Sequence, residues 1–381
     1  MTATTPTRPP FRADHVGSLL RPAELLAARY AEGAARPTPE ALGALEDKYI
    51  PDAIALQERV GLQSVSDGEF RRASFRSPVV GRIDGFTTVP QDPEIGAARD
   101  ASGGSHALGD APYAAGKLRR TQPIVAHEFA FLRAHTDRTP KIALPAPSYH
   151  FYYRGKDFAD PAIYSDAESY LDDLVAIYRE ELAALAELGA TYVQFDEVIQ
   201  AYMCDPRLRD VLIRRGDDPL KLSALYVDLI NRIIEGRPDD MTIAVHFCRG
   251  NSMGRWVAEG GYEPIAEIVF GGLAVDALFM EYDTPRAGDF APLRHVSDDK
   301  TVVLGLVGTK EARLESPDAL KRRIDEAAKY IPLERLCLSP QCGFASRDKG
   351  NPITLEDEIA KLARVVEVAA DVWGGVLPSR G

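Results

Sequence analysis

His246-Phe247-Cys248 closes a short apolar run, Thr242–Val245. On a strand, residues i and i+2 leave the same face, so imidazole and thiol project together while Phe247 turns away. Alone, such a pair reads more readily as core than as a ligand pair. Two later run ends add donors. Glu281 follows Ala277–Met280, and Cys342 follows Ser339-Pro340-Gln341 and precedes Gly343. One imidazole, two thiols and one carboxylate form a set suited to zinc. The carboxylate is the harder and more displaceable donor, so a substrate thiol is able to take its place. Metal coordination ionises a thiol, and the thiolate is the nucleophile. The chemistry pointed to is activation of a substrate sulfur for alkylation. Cys337, inside an apolar run, reads as a packed small hydrophobe, and Cys204 is left open between packing and function.

These donors meet only if the fold gathers strand ends in one place. Helical spacing of apolar residues predicts helices over 39–60, 166–188, 219–235, 317–330 and 355–373. Several begin with Pro, whose missing N–H costs nothing in a first turn, and Ser165 is the expected N-cap of the second. Between the amphipathic stretches lie eight short apolar runs, at 15–18, 63–69, 141–148, 192–197, 242–248, 277–283, 301–308 and 335–342. Strand–helix alternation argues for a parallel sheet, and the count of eight for an α/β fold of the TIM (β/α)8 barrel type. Polar residues cluster at the carboxyl end of each run, where barrel enzymes build their sites. Val16-Gly17-Ser18-Leu19 is not the Gly-rich phosphate turn of an open doubly wound sheet.

The chain has 381 residues and a formal charge of −12. That balance argues against nucleic acid and against an anionic membrane surface as partners. No apolar run is long enough for a membrane span. Met1–Pro10 is Thr/Pro-rich without the apolar centre of a signal peptide, and is expected to be a disordered tail on a cytoplasmic protein. Residues 11–381 are expected to form a single catalytic barrel. Its one irregular stretch, 85–117, is rich in Gly, Ala, Asp and Pro; it is expected as a long insertion after strand two, either a surface hairpin or a lid or dimer arm. A homodimer is compatible with the sequence, and composition does not decide it.

Five motifs now stand in order: Val16-Gly17-Ser18, Asp67-Gly68-Glu69-Phe70, Gln194-Phe195-Asp196-Glu197, His246-Phe247-Cys248 and Gln341-Cys342-Gly343. From about His15 to Trp373 the chain resembles the carboxyl-terminal catalytic barrel of the cobalamin-independent methionine synthases. The resemblance implies a zinc enzyme moving a methyl group onto homocysteine sulfur. It implies zinc on His246, Cys248, Glu281 and Cys342, the amino-acid carboxylate at Gly17 and Ser18, and the ammonium between Glu69 and Asp196. Those two acids have a second reading as helix caps. The chain also departs from the family. It has room for one barrel where the classical enzymes have two. After strand three, Pro147–Tyr153 supplies aromatics but no Trp, to stack on a flat donor or to pack a loop. Where the family has a histidine that protonates the leaving group, Lys310 stands, expected to donate a proton with a lowered pKa or to bind an anionic group. The donor is accordingly a methylfolate or a methylcorrinoid protein. The alternatives are alkyl transfer or lysis with another thiol, such as a coenzyme M-like thiol and an epoxide, and a non-catalytic zinc- or thiol-binding protein.

Overall fold

The computed structural model describes residues 8–79 and 81–375. Of the tail expected over Met1–Pro10, the first seven residues lie outside that range. Pro10 is buried, with its carbonyl 4.0 Å from Cys337 Sγ.

Twelve strands follow in chain order: β1 (Ser64–Val65), β2 (Ile83–Val89), β3 (Ala97–Arg99), β4 (Ser105–Ala107), β5 (Ala111–Arg120), β6 (Thr139–Pro140), β7 (Ile142–Pro145), β8 (Tyr192–Asp196), β9 (Thr242–Phe247), β10 (Ala277–Glu281), β11 (Thr301–Val307) and β12 (Leu336–Pro340). β7 to β12 form a six-stranded parallel sheet in which each strand pairs with its neighbours in sequence. β6 pairs in parallel with β1, and Lys141 N donates to Val65 O at 2.8 Å, so β6 and β7 act as one stave across Pro140. Beyond β12, Ala13 bridges Leu338 in parallel. The staves thus run from the Arg12–Asp14 segment through β12 back to β1. The last seam is closed by Leu19 N on Gly68 O at 3.0 Å and by side chains: Ser64 Oγ donates to Asp14 Oδ1 at 2.9 Å, and Ser66 Oγ to Gly17 O at 2.5 Å. This is the (β/α)8 arrangement. The first stave pairs at Ala13, earlier than the run 15–18 proposed from sequence. There the chain already bends towards the mouth, and Gly17 has φ +143°.

The five expected helices form, each opened by a side-chain cap. Ala167–Glu187 buries Leu171, Leu174, Val175, Tyr178, Leu182 and Leu185. Its cap is Asp166, accepting from Ser169 N at 2.8 Å, and not Ser165. Pro39–Val60, Pro219–Ile234 and Pro317–Ala327 start with Pro in the first turn, and Leu355–Trp373 carries a full Thr354/Asp357 capping box. Among the described residues no helix is long and apolar enough to cross a membrane.

The stretch 85–117 is two nested hairpins. β2 pairs antiparallel with β5, and β3 with β4. Arg99 and Trp256 exchange backbone hydrogen bonds at 2.5 and 3.0 Å, and Arg99 pairs with Asp205 at 3.0 Å. The insertion is therefore fastened to loops following β8 and β9.

Strand parity positions the site. Val16, Tyr192, Ala244, Ala277, Phe279, Val303 and Cys337 form a buried cluster separate from the main core. They are the inward residues of the barrel floor. Continuing each stripe by twos leads from Tyr192 to Asp196, from Ala244 to His246 and Cys248, and from Ala277 to Glu281.

Candidate metal and thiol site

His246, Cys248 and Cys342 bring one ligand atom each to within 4.8 Å of one another, all buried. His246 lies beside Asp196 in the β8–β9 register and beside Phe279 in the β9–β10 register. Cys248 Sγ is 3.3 Å from Cys342 Sγ. The Cys248 thiol hydrogen bond, then His246, hold Cys342 far below the ordinary thiol range against the effect of burial. Cys248 is raised correspondingly, by that same bond first and by burial second. Cys342 is held by its loop. Gly343 O accepts from Asn251 Nδ2 at 3.1 Å and Thr309 Oγ1 at 3.2 Å, and Gln341 Nε2 donates to Thr309 Oγ1 at 2.9 Å. A Cβ on Gly343 would fall 1.9 Å from Ser18 Oγ, so this loop rests directly on Ser18.

The cluster fits a zinc ion on its chemistry. Its donors are soft sulfur and imidazole, and both ring nitrogens of His246 are buried without a hydrogen-bond partner of sound geometry. A buried polar atom left unpaired is costly unless something else satisfies it.

Glu281 is fully buried one strand over, and its carboxylate is engaged elsewhere. Oε2 accepts from Arg249 N at 2.8 Å, and Oε1 pairs with Lys310 Nζ at 3.4 Å. The structure thus gathers three of the four expected donors and leaves the fourth in an ion pair. Lys310 needs correction as well. Burial works against its charge, but Glu281 and Asp283 outweigh it and raise its pKa. A lowered pKa was expected of a lysine proton donor, and the two carboxylates are the reason it is absent.

Ser18, Glu69 and Asp196 line the same pocket as the three donors. Glu69 has φ +59°, a strained conformation for a residue with a side chain. Its Oε1 lies 3.5 Å from where a Cβ on Gly17 would be. Burial first, opposed by Arg72 and reinforced by Asp196, raises the Glu69 carboxyl to about 7. Burial also raises Asp196, against His246 and Gln194. Among the described residues Glu69 Oε2 has no partner, Glu69 Oε1 lies 3.5 Å from Arg72 Nη1, and Asp196 Oδ1 accepts from Gln194 Nε2 at 2.7 Å. Neither acid caps a helix. That task falls to Glu197, whose Oε1 accepts from Ile199 N and Gln200 N at 2.9 and 3.1 Å.

Cys204 and Cys337 are buried and raised to about 12 by burial. Of the aromatic run, Tyr149, His150, Phe151 and Tyr152 pack into a buried helical turn, and Tyr153 faces the pocket. The sequence reading missed Arg76, Arg347, Tyr202 and Asn251, which also line it.

A family model described as cobalamin-independent synthase, catalytic domain, matches residues 154–371. The Bacillus subtilis protein YxjH, described as uncharacterized, is 39% identical over 366 residues, 96% of this chain and 95% of its own. A methionine synthase of Pyrococcus abyssi is 26% identical over 81% of this chain and 79% of its own. Among solved structures, a Listeria monocytogenes protein described provisionally as a vitamin-B12-independent methionine synthase superposes with TM-score 0.73 at 32% identity, covering 97% of this chain and all of its own.

Proposed function

Since the chain belongs to the family of cobalamin-independent synthase catalytic domains, and so is a methyltransferase, we propose that it transfers a methyl group to the sulfur of homocysteine in a zinc-dependent reaction that yields methionine. One observation carries the proposal: two thiols and an imidazole with unmet valence share a pocket with two under-partnered carboxylates.

His246, Cys248 and Cys342 would hold the zinc, with Glu281 as the exchangeable carboxylate. When bound, zinc supplies Lewis acidity that keeps an acceptor thiol ionised at neutral pH. The rest is positioning. Glu69 and Asp196 hold the substrate ammonium, and binding a cation there offsets the cost of two buried acids. Ser18 Oγ, which accepts from Ala345 N at 3.4 Å, keeps its own proton to donate to the substrate carboxylate beside Gly17. With both ends of the amino acid fixed, its thiol is directed at the His246–Cys248–Cys342 cluster, ready for in-line attack on a donor methyl. Lys310 serves as the ion-pair partner that places Glu281, a positioning role in place of proton donation. The proposed cytoplasmic setting would keep the four cysteines reduced.

Zinc-loaded protein should form methionine from homocysteine with methyltetrahydrofolate or a methylcorrinoid, and the donor that works fixes which. No product with either, at full zinc occupancy, would overturn the reading.

A further inference from the structure

Two loops at the mouth are stitched together by their backbones. Ser74 and Arg347 form an antiparallel bridge. Phe75 N donates to Ser346 O, and Asp348 N to Ala73 O, both at 3.0 Å. The bridge sets Arg76 and Arg347 side by side on the wall of the pocket that holds Cys248 and Cys342. Both guanidiniums converge on one acceptor, the Leu108 carbonyl of the inserted hairpin, at 3.1 Å from Arg76 and 2.8 Å from Arg347. Arg76 also donates to the Tyr149 hydroxyl and lies 5.0 Å from the centre of its ring.

Every one of these partners is neutral. Asp348, adjacent in sequence, turns the other way to Arg29 and Tyr30, at 3.3 and 2.7 Å. Among the described residues neither Arg76 nor Arg347 forms an ion pair. Burial first and the neighbouring Arg76 second push the Arg347 pKa down. Two crowded guanidiniums gathered on a single carbonyl oxygen have hydrogen-bonding capacity left over. Their planar forks match an oxyanion. In a chain of charge −12, this local concentration of positive charge selects for a negative ligand.

We propose that Arg76 and Arg347 form an anion site that binds a carboxylate or phosphate group carried by the methyl donor. The proposal rests on the methyl-transfer reading of the pocket. Phe75, Leu108 and Tyr153 line the same wall and suit the apolar or flat portion of such a donor. Ser346, next to Arg347, lies 3.5 Å from Cys342 Sγ, so a group anchored here stays close to the reacting sulfur.

Calorimetric titration of the zinc-loaded protein with p-aminobenzoylglutamate and, separately, inorganic phosphate tests the site and distinguishes the two sources. The wild type should bind at least one probe. Arg347→Met and Arg76→Met should each weaken it about tenfold or more, with homocysteine affinity within about twofold of wild type. Arg347→Lys keeps the charge without the fork and should fall between. It decides the matter if a Met variant fails to fold. No binding of either probe to the wild type, or unchanged affinity in the folded variants, overturns the site. Titration reads binding alone. Probe binding without methyl transfer from any donor would sink the methyl-transfer reading and leave the anion site standing. Methyl transfer with unaffected variants would sink the anion site alone.

Discussion

The barrel buries polar clusters at both ends, and they differ in how completely they are satisfied. At the floor, Asp14 Oδ1 accepts from His15 N, Ser64 Oγ and Lys141 Nζ at 2.8, 2.9 and 3.2 Å, and Oδ2 from Phe11 N and Tyr192 Oη at 3.3 and 2.9 Å. Lys141 Nζ also donates to His15 O at 2.5 Å and sits 3.9 Å from the centre of the Phe279 ring. At the mouth, among the described residues, both nitrogens of His246 lack a partner of sound geometry, and Glu69 Oε2, Asp67 Oδ2 and Gln194 Oε1 have none. Both clusters are buried to a similar degree. Burial of charge therefore does not mark the functional end; unmet valence is concentrated at the mouth, although His15 Nδ1 at the floor also lacks a partner among the described residues.

The largest effect should come from breaking the satisfied end. Asp14→Ala leaves Lys141 buried without its counter-ion and should cost about 3–5 kcal/mol of unfolding free energy, read by denaturant titration. Zinc bound per folded molecule should not change; a loss of zinc would mean the two ends are not independent. At the mouth, Cys248→Ser or Cys342→Ser should lower zinc affinity by more than the roughly 100-fold that loss of a supporting partner costs, and activity with it. Full zinc retention in both variants would remove the site assignment. Glu69→Gln and Asp196→Asn should raise the KM for homocysteine by about 10–100-fold, the worth of a charge-assisted hydrogen bond. They should leave zinc content intact and spare a thiol that lacks an amine; an equal effect on both thiols would deny these acids the ammonium.

Glu358 lies between the extremes. Its Oε2 accepts from Leu20 N at 2.8 Å, and among the described residues Oε1 has no partner. Burial, opposed by that bond and by Arg21, raises its carboxyl from 4.5 to about 8. The folded state thus binds the proton more tightly than the unfolded chain. Its contribution to stability is complete below about pH 4.5 and lost as pH rises through about 8. Glu358→Gln should flatten the fall in unfolding free energy over that window by several kcal/mol, at about 1.4 kcal/mol per pKa unit; a pH profile parallel to wild type would contradict it. The smallest change belongs to Cys204→Ala, costing on the order of 1 kcal/mol of packing with zinc stoichiometry and activity as in wild type. Any fall in zinc would promote that thiol from the core to the site.

Most of the mouth was legible because strand parity is local. His246 and Cys248 declare themselves two apart on an apolar run, and Asp196 and Glu281 end stripes that begin in the floor. Helix Ala167–Glu187 was readable from its spacing alone, while its cap fell one residue later than Ser165. Other features depend on contacts between distant segments. Nothing in the text around Arg76 or Arg347 separates them from surface arginines; the Ser74–Arg347 bridge does. The partner of Lys310 is 29 residues away in sequence, so the direction of its pKa was not available. The nested hairpins of 85–117 pair Gly- and Ala-rich segments that lack a clean two-residue alternation.

Gly343 leaves no room for a side chain between the Cys342 loop and Ser18. On the proposed reading, metal and amino acid then lean on opposite sides of one thin partition. A thermodynamic cycle requires each to change the other's affinity by the same factor. Saturation with homocysteine should accordingly alter how readily a chelator strips the metal, and metal-free protein should show the matching change in its grip on the amino acid.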